Sequence, residues 1–289
     1  MPHLNHGAFG SCEAVLSLFL LFIKLVYVRG WIRLRSIPSK RIPFWRAFSF
    51  FLGLLLIWVA VGSPLGALDR ELLTVHMVQH LLLMTLAPPL IWLGQPAMPL
   101  LVGLPRRFAD SILDLQARLN PLGDVLTRPF FSWFAAAAVL VLWHIPAALT
   151  LGLRSEAWHV IEHASFLVAG LLFWRPVVHP PESTRWPEFF IILYLFFATL
   201  PCDILAGLLV FGDRDVYSVY GASRPFGLSA MADQQSAGAL MWTCVTLVYL
   251  VAGGIVTMRL LSPQRRRKDE WTLAESAALQ KLPRALELR

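Results

Sequence analysis

Apolar residues run for about 20 positions at a time along this chain, and each run closes on a short polar or basic segment. The runs fall near residues 12–28, 48–66, 72–93, 130–149, 159–178, 189–211 and 238–261. At 1.5 Å of rise per residue, about 20 apolar residues cross a hydrocarbon core about 30 Å thick. The pattern therefore predicts seven transmembrane helices and an all-α polytopic membrane protein. The first run is the least clean, with Glu13 at its start and Lys24 near its end. A lysine one turn from the interface can lift its ammonium into the headgroups.

Basic residues orient these spans. Arg29, Arg33, Arg35, Lys40, Arg41 and Arg46 crowd the first connection with no acid among them, and the stretch 259–289 adds eight more, including Arg265, Arg266, Arg267 and Lys268. Alternate connections add Arg106, Arg107, Arg118 and Arg128, then Arg175 and Arg185, against Arg70, Arg154, Arg214 and Arg224 on the opposite side. With Lys24 set aside, 20 basic residues lie inside and four outside, which puts the N-terminus outside and the C-terminus in the cytoplasm. The expected organisation is a seven-helix transmembrane domain over 1–262 and a cytoplasmic tail over 263–289. The first ten residues lack a basic n-region, so the first helix is expected to stay in the protein.

Composition narrows the function classes. Hydrophobic residues make up 57% and charged residues 15%, against about a quarter charged in soluble domains. The 20 Pro and 18 Gly interrupt apolar rather than polar segments, which argues against disorder, and Cys12, Cys202 and Cys244 are too scattered for a disulfide scaffold. A net charge of +7 would point to nucleic acid in a soluble protein, but here it lies in orienting loops, so no nucleic-acid partner is expected. Between the third and fourth spans, Phe108, Ile112, Leu113, Leu115 and Leu119 fit a short amphipathic helix on the inner surface. Arg106, Arg107, Asp110, Asp114 and Arg118 fit a solvated loop face equally well.

Candidate chemistry gathers at one depth. His76 and His80 sit at i and i+4 in the first turns of the third span, and His159 and His163 repeat that spacing at the start of the fifth. His144 lies near the end of the fourth. In the inferred orientation all five fall in the outer third of the membrane, in a layer where three packed helices can meet. A single pair could simply hydrogen-bond a neighbouring helix or interfacial water. Two pairs and a fifth histidine at matched depth point instead to copper, zinc or haem iron, for which imidazole is a natural ligand.

Other polar and soft groups approach this layer. Glu162 is placed to orient His159 or His76 from behind, or to serve as a structural partner on a neighbouring helix. Asp203 is a carboxylate in the outer half of the sixth span, where it needs water, a cation or a proton. Cys202, Met241, Cys244, Met77 and Met231 read as apolar packing, or as ligands if the metal is copper(I). Asp233, Gln234 and Gln235 can cap the seventh helix or hydrogen-bond the metal ligands. Pro88-Pro89 should kink or end the third helix.

Four sets of residues carry a resemblance. They are His76-Met77-Val78-Gln79-His80 with Pro88-Pro89 and Gly94-Gln95-Pro96, Leu142-Trp143-His144-Ile145-Pro146, His159-Val160-Ile161-Glu162-His163 with Phe173-Trp174-Arg175-Pro176-Val177, and Ala232-Asp233-Gln234-Gln235 with Gly238. In this order, over about residues 16–261, they resemble the membrane-integral CtaG family of cytochrome c oxidase assembly proteins, described for caa3-type oxidases. The resemblance implies a bacterial cytoplasmic (inner) membrane protein without catalytic residues. It further implies that His76, His80, His144, His159 and His163 form a copper site serving an oxidase subunit or a periplasmic copper chaperone. The cysteine motif of the single-span copper chaperone with the same historical name is absent. Two other classes stay open at this point: a haem-bearing membrane oxidoreductase with axial histidines from the third and fifth helices, and a proton or metal-ion transporter using Asp203, Glu162 and the histidines.

Overall fold

The computed structural model describes residues 6–35, 42–63, 65–126, 128–179, 188–221 and 225–261. The tail expected over 263–289, the basic stretch 36–41 and the Cys12 side chain lie outside the described residues. Helix α1 (His6–Arg35) stands at the edge of the bundle, with Val15, Leu18, Phe19, Phe22 and Leu25 exposed as suits a lipid-facing surface. Two glycines dock it: a Cβ on Gly30 would overlap the Pro99 carbonyl, and one on Gly103 would overlap the Val26 carbonyl. Bare backbones therefore meet where α1 crosses α6 (Ala97–Gly103). Tyr27 stacks on Phe50 of α2 (Phe44–Val61) with ring centroids 4.3 Å apart and donates its hydroxyl to the Gly94 carbonyl at 3.0 Å.

The third apolar run continues through its two prolines. After the short α3 (Leu65–Leu68), it consists of α4 (Leu73–Leu81), a π turn (Leu82–Leu86) and α5 (Ala87–Leu93), together one span of 21 residues. Pro88 lacks the N–H that would bond Met84, and the indole of Trp174 donates to that orphaned carbonyl at 3.2 Å. The Ala87 N–H reaches back to Leu82, widening one turn instead of ending the helix. A Cβ on Gly170 would lie 2.6 Å from the same Met84 oxygen, so the widened turn seats directly against the helix opposite.

The run expected over 130–149 is a bent pair rather than a straight rod. Helix α8 (Pro129–Trp143) stops at His144, and α9 (Pro146–Arg154) leaves it at 76°. Pro146 has no N–H to extend the ladder and holds Ile145 in an extended conformation, so His144 sits at the corner. Helix α7 (Arg106–Leu126) resolves the ambiguous connection as an amphipathic helix, with Phe108, Ile112, Leu115 and Leu119 exposed.

Helices α10 (Glu156–Val178), α11 (Glu188–Phe211) and α12 (Ala230–Leu260) complete the bundle. Two apolar cores flank α10, one around Phe173 and Trp174 with α4, α8, α11 and α12, the other around Phe166 with α1 and α2. Among the described residues six helices are long and apolar enough to span a membrane, and seven if α8 and α9 form one span. Helix α12 starts eight residues before the predicted 238, because Asp233 and Gln234, which break the hydropathy pattern, are buried against other elements. Its own N-cap is Ser229, whose hydroxyl accepts from the Ala232 N–H at 3.1 Å.

Candidate metal centre

The i, i+4 pairs of α4 and α10 face one another at the starts of their helices. Ring centroids lie 4.3 Å apart for His76 and His80 and 4.2 Å apart for His159 and His163. Across the helices, His76 is 5.8 Å from His159 and 6.4 Å from His163, and His80 is 6.0 Å from His163. His144 approaches from the α8–α9 corner, 6.3 Å from His80. His80 is held flat against Phe166 at 3.9 Å.

Glu162 occupies the middle of this group. Its Oε1 lies 3.2 Å from His76 Nε2 and 3.3 Å from His80 Nε2, and its Oε2 lies 3.5 Å from His159 Nδ1. The residue is 0% exposed. Helix α9 makes room for it with Gly152, where a Cβ would overlap Glu162 Oε2. Asp69, also fully buried, places its Oδ2 2.9 Å from His159 Nε2 as an ion-pair partner. Two triads result, His76–His80–Glu162 and Asp69–His159–His163, with donor atoms in each within 4.8 Å of one another. Metal bonds of 2.0–2.1 Å would draw such atoms to about 3.3 Å, a small side-chain adjustment.

Several ring nitrogens in this group have no protein partner among the described residues. His76 Nδ1, His80 Nδ1, His144 Nε2 and His163 Nε2 are buried without a hydrogen-bond partner among the described residues. A buried unmet donor or acceptor costs about 1–3 kcal/mol. His144 Nδ1 contacts the Leu140 carbonyl at 2.7 Å, so the proton sits on Nδ1 and Nε2 presents a bare lone pair. Two buried carboxylates also require positive charge nearby. Several imidazoles, two carboxylates and unfilled lone pairs make a donor set that could hold a metal ion.

The surrounding elements fix this geometry. Asp233 does not begin its own helix; it caps α4, accepting from the Leu73 N–H at 2.9 Å and the Thr74 N–H at 3.0 Å, and from the Thr74 hydroxyl at 2.7 Å. Gln234 accepts from the Val216 N–H and donates to the Arg214 and Leu209 carbonyls, binding the connection after α11 to α12. From that connection Tyr217 donates its hydroxyl to the His144 carbonyl at 2.9 Å. Burial pushes this phenol up to about 12, so it stays a neutral donor at physiological pH.

The softer candidates divide. Cys202 and Met241 line a cavity of about 40 Å³ that also touches His80 and His144, together with Met77 and Met84. Cys244 is half-buried in the core beside α11 and does not line that cavity. Asp203 lies beside Cys202 on α11, half-buried, and lines neither cavity next to the histidines. Met231 sits in the first turn of α12, away from both. Sequence reasoning missed Asp69, which reads as an ordinary loop acid beside Arg70 and Glu71, and Gly152.

No curated protein and no solved structure matches the chain. A family model for the cytochrome c oxidase caa3 assembly factor matches residues 25–262, an interval holding every residue of the two triads. The chain belongs to the cytochrome c oxidase caa3 assembly factor (Caa3_CtaG) family.

Proposed function

We propose that this chain is a non-hydrolytic assembly factor that takes copper as cargo at the histidine–carboxylate cluster and passes it to a cytochrome c oxidase subunit, directly or through a periplasmic copper chaperone. The observation that carries this reading is the Glu162 carboxylate bracketed by His76, His80 and His159, with bare imidazole nitrogens around it. Ligand exchange is the whole chemistry. A cluster with more donors than one ion uses can keep copper(I) bound while a partner's ligands replace its own one at a time.

The distribution of basic residues supports a seven-span arrangement in the bacterial cytoplasmic membrane, with the N-terminus and the cluster on the outer side and the tail 263–289 in the cytoplasm. The spaces beside the cluster, about 40 and 240 Å³, suit an ion and water better than a porphyrin, which favours a metal ion over haem. The larger one borders Asp69, His159 and His163, and His159 is the one member of the triads that stays partly exposed, at 12%. This is the side from which the ion enters.

Anaerobic titration of the purified protein with copper(I) against a coloured chelator tests the proposal. The unsubstituted chain should withdraw copper from the chelator, and His80→Ala combined with His163→Ala should weaken that competition by about 100-fold or more. Equal competition by the two proteins would refute the assignment.

A further inference from the structure

The 40 Å³ cavity shares His80 with one triad and no lining residue with the larger space, and its walls change character. Where the triads offer imidazole and carboxylate, this cavity offers Met77, Met84, Cys202 and Met241 with His80 and His144. Cys202 and Met241 are each 3% exposed and both line the cavity, and the Cys202 thiol donates to the Met241 backbone carbonyl at 4.0 Å, so α11 and α12 meet at this wall. Met84 is supplied by the π turn that Pro88 forces on the third span. The volume exceeds the 10–15 Å³ needed for one small guest.

A lone cysteine among methionines would be unremarkable packing. The imidazoles supply the independent observation. His144 is nine-tenths buried, its Nδ1 is committed to the Leu140 carbonyl, and its bare Nε2 has no hydrogen-bond partner among the described residues although the ring lines this cavity. Apart from Thr85, Tyr249 and the indole of Trp133 the remaining walls are apolar or sulfur-bearing, and the His144 lone pair is a free ligand atom beside them.

We propose that this cavity is a second copper(I) site, with His144 Nε2, the Cys202 sulfur and the Met241 thioether as ligands, and that His80 hands the ion to it from the Glu162 cluster. The proposal rests on the copper reading of that cluster. Copper(I) prefers sulfur and imidazole, so a passage from carboxylate-containing to sulfur-containing ligands runs toward softer donors. Binding exchanges the Cys202 S–H bond for an S–Cu bond and releases the proton to solvent. The charge in the cavity is unchanged by this exchange, which spares the cost of a bare cation in hydrocarbon. His80 belongs both to the triad and to the cavity wall, so the ion keeps one ligand throughout the transfer.

Copper stoichiometry and copper K-edge absorption on full-length protein loaded anaerobically with copper(I) separate the possibilities. The unsubstituted chain should show both a nitrogen or oxygen shell and a sulfur shell. Cys202→Ser with Met241→Leu should lose the sulfur shell and one copper per chain while keeping the copper at Glu162. Glu162→Gln with His159→Ala should instead keep the sulfur-bound copper at equilibrium but slow its loading, because the ion reaches it from that cluster; unchanged loading overturns the hand-off. Selenomethionine labelling of the otherwise unsubstituted protein adds a readout independent of any folding defect, because selenium should appear among the copper ligands. Copper bound only by nitrogen and oxygen in that labelled protein overturns the second site and leaves the first. A sulfur shell that survives Cys202→Ser with Met241→Leu overturns Cys202 and Met241 as its ligands, since Met77 and Met84 line the same cavity. No copper in any form overturns both readings.

Discussion

Glu162→Gln is expected to reduce copper affinity by about 10–100-fold while leaving a folded protein. The carboxylate is fully buried, and its two oxygens reach His76, His80 and His159. Glutamine preserves the volume, so the helices have no cavity to collapse into. It removes the negative charge that balances a bound cation, and its amide NH₂ turns a donor toward rings whose lone pairs face inward. Gly152→Val should also lower affinity, because any Cβ there overlaps Glu162 Oε2, the oxygen that faces His159, and forces the carboxylate to shift. Metal analysis and thermal denaturation of both variants provide the check. Full copper content in Glu162→Gln would remove this carboxylate from the ligand set.

Asp233→Ala should be the most destabilising single change near the site. This buried side chain accepts two backbone N–H groups at the start of α4 and the hydroxyl of Thr74. Alanine leaves those donors unmet where water cannot easily replace the acceptor. Loss of a cap costs about 0.5–2 kcal/mol, and hydrogen bonds to a charged acceptor are worth about 1.5–3 kcal/mol each, so the total should be on the order of 3 kcal/mol or more. Because α4 carries His76 and His80, copper binding should weaken along with stability. Asp233→Asn retains one acceptor oxygen and should recover part of both. A detergent-solubilised Asp233→Ala protein that melts at the temperature of the unsubstituted chain would show that the cap is dispensable.

The membrane spans were legible because hydrocarbon thickness sets a length that hydropathy can count. The histidines were legible because i, i+4 spacing fixes a helix face and alternate spans share a depth. What the sequence hid was set by contacts between distant segments. Asp69 is a charged loop residue until the fold buries it against His159, 90 positions away. Gly152 has no signature beyond its identity, since its role is the space that Glu162 fills. The start of α12 was misplaced for the same reason: Asp233 and Gln234 look like solvent-facing residues in a hydropathy window, whereas their partners on α4 and after α11 bury them. The bend at His144 was signalled by Ile145-Pro146, but an apolar count over 130–149 could not register an angle of 76°.

The cluster built around Glu162 is expected to hold copper, and metal content with an optical spectrum on protein purified gently from copper-replete membranes tests this. At least one copper per chain, with no Soret band, is the expected result. A folded protein that carries no copper above background, or that shows a stoichiometric Soret band instead, would contradict it.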